Sequence, residues 1–424
     1  MVRTMRISDM VLRWLVGLFA VWVVCAALGV FGQRKLFYEE GREELYDFWM
    51  PRMCYEQGYV GHPEKWDGWH EVRTGKPIVV DEHDVVWSDW YTDGSETHFV
   101  TGWRDKVYPK VALWVVAPFP ASRTGGYVWC AFAGLILLGV MCGIAKSWKP
   151  LLLALSMPFL FNVERGNPIW LSAACVAVFL AWWDDDSEWK SLCAAGCLAI
   201  AAAMKIAPCV LGVVYFTRWR WRPIIFSAVM TLTLVFVPWF FDRDGFAALA
   251  VMMRNASIHA QYVLRASDFG LVELWRTVRL VLGLNVQDVW PGMMIVVRFS
   301  QILGVLVLIL GARRRDYLLL VGGMLLIAGN MYYYAALYLL PVFVIERIRN
   351  SNADGDDYSK DFPSRYVLIV ESFLWLAMFC PLQLVFLGHS ANQVICNSSL
   401  LILMSIRVFL IWMGKDEMTE KEAK

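Results

Sequence analysis

The chain has 424 residues, of which 58% are apolar and only 18% charged, with a formal net charge of +1 and a mean hydropathy of +0.48. Soluble domains carry about 25% charged residues, so the composition is that of a polytopic membrane protein. The balanced charge, with Lys and Arg confined to short clusters beside apolar runs, excludes a nucleic-acid partner. Every cysteine except Cys54 lies inside an apolar segment, a placement that suits neither a disulfide framework nor a thiolate metal site.

Met1 to Arg13 carries Arg3, Arg6 and Arg13 and leads into an apolar run from Val11 to Phe31. About 20 residues cross ~30 Å of hydrocarbon, and the run exceeds the apolar core of a signal peptide, so it is expected to be a retained first span. Further apolar segments are read at residues 126–145, 150–162, 167–183, 191–204, 206–216, 223–241, 291–312, 317–330, 332–345, 366–387 and 391–413. Together they make an all-α bundle of about twelve crossings or part-crossings. Threading them alternately puts Lys146 and Lys149, Arg218, Arg220 and Arg222, Arg313 to Arg315, and Arg347 and Arg349 on the side of the N-terminus. Under the positive-inside rule that side is cytoplasmic, and both termini face it in what is expected to be the plasma (inner) membrane.

The opposite face then receives loops at 32–110, 242–290 and 388–390, and all six histidines fall there without any ligand spacing such as His-Glu-x-x-His. No metal and no cofactor is expected. The first loop is long enough to carry function. Between Gly32 and Lys110 it holds sixteen Asp and Glu against ten Lys and Arg, interleaved with Trp66, Trp69, Trp87, Trp90, Tyr91 and Trp103. Such aromatics form an interfacial belt or stack on sugar rings. Asn350 to Ser364 reads as a polar connector, and the expected organisation is 1–31, 32–110, 111–222, 223–413 and a tail at 414–424.

Three places carry candidate chemistry. Just outside the first span, Asp47 sits among Tyr46, Phe48 and Trp49, whereas Glu39, Glu40, Glu43 and Glu44 read as a solvated helical face. A partly desolvated carboxylate suits a base that takes a proton from a hydroxyl. In the window 161–208, Glu164, Arg165, Asn167 and Lys205 stand at the ends of half-length apolar segments. A charge at bilayer depth costs roughly 2.5 to 3.5 kcal/mol, so such groups face a protein interior or a wet cavity and mark function. Arg165 and Lys205 suit a lipid phosphate, or they pair within the bundle with each other or with Glu164. Tyr332 to Tyr334, Arg254, Arg265 and Asp268 are further substrate contacts.

Asp47-Phe48-Trp49, then Gly58-Tyr59, then Tyr108-Pro109-Lys110 before an apolar stretch resemble the first-loop pattern of the family 87 glycosyltransferases. Glu164-Arg165-Gly166-Asn167-Pro168 and Lys205-Ile206-Ala207-Pro208 resemble that family's Arg-Gly-Asn and Lys-x-x-Pro elements, in the same order. Lys110 stands where the family usually has a second proline. The resemblance implies a GT-C-like fold and an inverting transfer of a hexose, mannose by preference, from a polyprenyl-phosphate sugar to an extracytoplasmic glycan or lipid acceptor. It implies Asp47 as base, Lys205 and Arg165 at the phosphate, and Glu164, Asn167 and Tyr108 in support. A secondary transporter or flippase shares the broken helices and buried charges; the long acidic loop and the absence of a repeat between the halves argue against it.

Overall fold

The computed structural model describes residues 7–27, 45, 47–48, 51, 55, 89–93, 96–100, 108–120, 122–242, 245–253, 269–283, 293–328, 333–353, 362–382, 385–386 and 389–413. Outside these lie Glu39, Glu40, Glu43, Glu44, Arg254, Arg265, Asp268, Tyr332, the middle of the polar connector and the C-terminal tail.

The apolar runs become helices close to where hydropathy puts them. Helix α1 covers Ile7–Ala27. After the first loop come α2 (Lys110–Val116) and α3 (Arg123–Ala145), which Ser122 caps by accepting from Gly125 N. Next are α4 (Met157–Arg165), α5 (Ile169–Trp182), α6 (Glu188–Met204), α7 (Val213–Thr217) and α8 (Trp221–Phe240). The second half holds α9 (Leu271–Val281), α10 (Met293–Arg314), α11 (Tyr317–Ile327), α12 (Leu339–Ala353), α13 (Phe362–Phe379) and α14 (Ala391–Trp412). Among the described residues, Arg123–Ala145, Trp221–Phe240, Ile295–Arg314 and Ala391–Trp412 are long and apolar enough to cross a membrane.

Three of the half-length segments do not begin as α-helix. Lys149–Leu155, Ala207–Gly212 and Tyr333–Tyr338 are 3-10 turns that lead into α4, α7 and α12. Pro150 and Pro208 open the first two, because proline is pre-set for the first helical turn and lacks an N–H that would be orphaned there anyway. Runs of 3-10 geometry this long are uncommon and frequently mark functional positions.

The fold also differs from an all-helical reading. Asp89–Asp93 (β1) and Glu96–Val100 (β2) pair antiparallel, with Asp93 opposite Glu96, inside the first loop. Val385–Phe386 (β3) and His389–Ser390 (β4) form a second short pair. Aromatic and β-branched residues such as Trp90, Tyr91, Thr97 and Val100 favour strands. The segment 242–290, expected as a loop, contains α9, whose apolar residues recur at helical spacing; it packs on α10 and α14. Asn397 of α14 grips the residue before it, accepting from Gly270 N at 2.7 Å and donating to Gly270 O at 3.0 Å.

Ion pairs knit the basic turns together. Asp184 accepts from Arg315 at 2.8 Å and from Arg220 at 3.4 Å, joining the turns α5–α6, α7–α8 and α10–α11. Asp9 receives both Lys149 and Arg347, joining α1, the start of the first 3-10 turn and α12. The clusters expected on one side are therefore drawn together by shared carboxylates. Since α6 runs from this end up to Met204, Lys205 stands at the other.

Candidate functional site

The site is assembled where α4 stops. Gly166 caps α4 in the left-handed region with φ of 69°, a conformation that costs an ordinary residue roughly 1–2 kcal/mol. Its peptide is held from behind by Trp129, whose indole N–H donates to Gly166 O at 3.0 Å. In front of it lies the segment containing Asp47. Leu45 N donates to Glu164 O at 2.7 Å, and a Cβ on Gly166 would stand 2.7 Å from the Phe48 Cβ. Leu45 also presses on Gly126 of α3, where a Cβ would come within 2.6 Å of its side chain. Two glycines thus open the slot into which the first loop docks.

Docking carries Asp47 onto Arg165. Arg165 Nε donates to Asp47 Oδ2 at 2.9 Å and Arg165 Nη2 donates to Asp47 Oδ1 at 3.1 Å. This bidentate fork, with Asp47 only 4% exposed, is the strong and orienting form of ion pair.

Lys205 occupies the break between α6 and the 3-10 turn that follows, where its extended backbone ends the helix. Its ammonium lies 4.7 Å from the centre of the Tyr108 ring and 5.1 Å from that of Tyr334, and it senses the charges of Asp47 and Arg165. Ring faces stabilise a cation by about 0.5–2 kcal/mol. Among the described residues, no carboxylate stands within ion-pair distance of it. Tyr334 is set by Asn162 of α4, which donates to Tyr334 O at 3.0 Å and to Pro158 O at 2.8 Å. Phe161 meets the Tyr333 ring edge-on at 5.3 Å.

Tyr108, Asp47, Arg165 and Lys205 are therefore gathered in one place, with Arg165 on the Asp47 carboxylate and Lys205 against the tyrosine rings. Arg165 pairs with Asp47, a partner that neither the phosphate reading nor the expected pairing with Lys205 or Glu164 named. Glu164 contributes its backbone carbonyl to the docked loop. The Asn167 side chain caps α5 by accepting from Ile169 N at 3.0 Å, and its buried amide nitrogen is without a partner. Of the expected tyrosines, Tyr334 reaches Lys205. Sequence reasoning missed Asn162, and it missed the pair of Lys110 with Asp242 at 2.8 Å, which ties the end of the first loop to the end of α8. Among the described residues no group of three or more His, Cys, Asp or Glu side chains could hold a metal ion.

Glycosyltransferase family 87 matches over residues 107–333, just over half of the chain. The protein belongs to that family. It is accordingly a glycosyltransferase, and its apolar helices make it a membrane-bound one, acting between a sugar donor and an acceptor. The match contains Tyr108, Arg165, Asn167 and Lys205 and begins after Asp47, so Asp47 joins the family region through its contact with Arg165. No curated protein and no solved structure matched the chain.

Proposed function

We propose that this glycosyltransferase moves a hexose, mannose by preference, from a polyprenyl-phosphate donor to a glycan or lipid acceptor on the extracytoplasmic face of the plasma membrane, with inversion. The observation that carries the proposal is the Lys205 ammonium, held between two tyrosine rings with no carboxylate among the described residues at ion-pair distance, beside a carboxylate clamped by Arg165. A buried charge persists when it is paired, and the partner that fits here is an anion brought by the substrate. A lipid phosphate is such an anion, delivered at the depth where the broken helices end.

In the reaction the acceptor hydroxyl oxygen attacks the anomeric carbon while the bond from that carbon to the phosphate oxygen breaks. The hydroxyl proton passes to Asp47. The bonding pair leaves with the phosphate, which changes from a singly charged diester to a doubly charged monoester. Lys205 stabilises the charge as it develops, an interaction stronger in the transition state than in the ground state. Arg165 orients the Asp47 carboxylate and, using only part of its donor set on it, shares the phosphate. Displacement on the face opposite the leaving group by one attacking oxygen inverts the centre. The basic turns joined through Asp184 and Asp9 face the cytoplasm in this reading.

The test is transfer from a polyprenyl-phosphate hexose in the purified full-length enzyme. Asp47→Asn keeps the size but removes basicity and one of the two acceptors that Arg165 uses, so turnover should drop by about 10²- to 10⁴-fold with donor binding little changed. Lys205→Met should instead weaken donor binding, and Lys205→Arg should rescue it only in part, since a planar guanidinium does not replace a compact ammonium. Wild-type turnover in Asp47→Asn would end the base assignment.

A further inference from the structure

Lys110 stands where the family pattern usually has a second proline, and its place in the fold would accept that proline. It is the first residue of α2, and Pro109 before it is extended, with φ of −61° and ψ of 150°. A residue that precedes proline is pushed into that region, and proline is favoured at the first helical position. What the lysine adds is therefore its side chain. Its ammonium, 10% exposed, meets the 9%-exposed Asp242 carboxylate at 2.8 Å and lies 5.4 Å from the centre of the Trp239 ring. Trp239 is buried near the end of α8, and Asp242 N donates to Trp239 O at 3.3 Å, so cation, carboxylate and ring form one buried latch. Two residues before Lys110, the Tyr108 ring lies 4.7 Å from the Lys205 ammonium. Pro109 stiffens the backbone between them, since its own ring locks φ and also restricts Tyr108. An anchor at Lys110 therefore sets where the Tyr108 ring stands.

We propose that Lys110 is a positioning residue: paired with Asp242 at the end of α8, it holds the stiff Tyr108-Pro109-Lys110 segment so that the tyrosine ring faces Lys205. The segment is thereby tied to both sides of the site, to α8 through the latch and to the break after α6 through the ring. A buried ion pair is weak evidence for stability, because desolvating both charges offsets their attraction; its better-attested use is to select one arrangement over others. Here the arrangement selected is the register of the Tyr108 segment against α8. The consequence for lipid-phosphate binding rests on the reading of Lys205 as the partner of that phosphate, whereas the placement of Tyr108 does not.

Two changes remove the latch from the full-length protein. Lys110→Pro installs the family residue in a compatible backbone, and Lys110→Met combined with Asp242→Leu removes both charges, so that no unpaired charge stays buried. A meta-fluorotyrosine incorporated at Tyr108 reports the setting of the ring by fluorine NMR, on protein that elutes as one species. Lys205→Met marks where its resonance lies once the ammonium is gone. Both latch variants should move the resonance from its wild-type position toward that mark. A resonance that both variants leave in place, or that Lys205→Met itself does not move, would overturn the proposal. Binding of undecaprenyl phosphate gives a second readout. Loss of a ring contact with an ammonium corresponds to about 2- to 30-fold, and each latch variant should weaken the lipid by that order. Added to Tyr108→Leu, which already removes the ring, the latch substitutions should weaken it no further; additive losses would show that Lys110 does not act through Tyr108 and would equally overturn the assignment. Undecaprenyl phosphate binding unchanged in Lys205→Met would remove the phosphate reading, while the fluorine resonance would still decide the latch.

Discussion

Gly166→Ala perturbs the slot that holds Asp47 without touching a charged group. The added Cβ would stand 2.7 Å from the Phe48 Cβ and 3.3 Å from Phe48 N. Carbon atoms settle at about 3.5–4.0 Å, so the loop beside Asp47 must retreat by ~0.8 Å or more. The left-handed φ of 69° adds roughly 1–2 kcal/mol of backbone cost for an L-residue. Displacement of a catalytic group on the scale of ~1 Å can cost about 10²-fold in rate, and turnover should decline by that order while binding of polyprenyl phosphate, assigned to Lys205 in the proposed reaction, stays close to wild type. The comparison is Gly139→Ala in α3, where no atom lies within 4 Å of the added carbon; it should keep full turnover and gain up to ~1 kcal/mol of helix stability. The assay is hexose transfer from a polyprenyl-phosphate sugar alongside lipid binding, on protein that elutes as one species. A monodisperse Gly166→Ala enzyme with wild-type turnover would refute the claim that the docked loop positions the base.

Three further outcomes follow from named contacts. Tyr334→Phe keeps a ring face toward Lys205 and should change polyprenyl-phosphate affinity by less than about twofold, whereas Tyr334→Leu forfeits a contact of about 0.5–2 kcal/mol; equal affinity in both variants would show that the ring does not hold the ammonium. Asp184→Ala removes the carboxylate that Arg220 and Arg315 share and should lower stability by roughly 1–3 kcal/mol, read as a fall in Tm, while Asp186→Ala at an exposed position should stay within about 0.5 kcal/mol; equal losses would deny the shared pair its role. Labelling of intact cells with an impermeant thiol reagent should reach Ser95→Cys and spare Ser147→Cys; the reverse would place the chemistry on the cytoplasmic side.

Hydropathy located the longer apolar helices, because a segment that must satisfy its own backbone in lipid has few conformations open to it, and proline and glycine set the ends. Residues 126–145 and 223–241 were read within a few positions of Arg123–Ala145 and Trp221–Phe240. Leu271–Val281 falls in a stretch too polar for hydropathy to mark, although its apolar spacing suits a helix; its stability comes from α10, α14 and the Asn397 grip. The residues of the site were likewise legible as types, since Arg165 and Lys205 are charges where charge is costly and Gly166 breaks a helix between them. Their partners were not. Asp47 and Arg165 are 118 residues apart, and the same guanidinium could have met a phosphate, Glu164 or solvent at no difference in sequence. What decided the matter was tertiary: two glycines on neighbouring helices leave room for a loop to approach, and Asn162 holds the Tyr334 backbone where its ring meets Lys205.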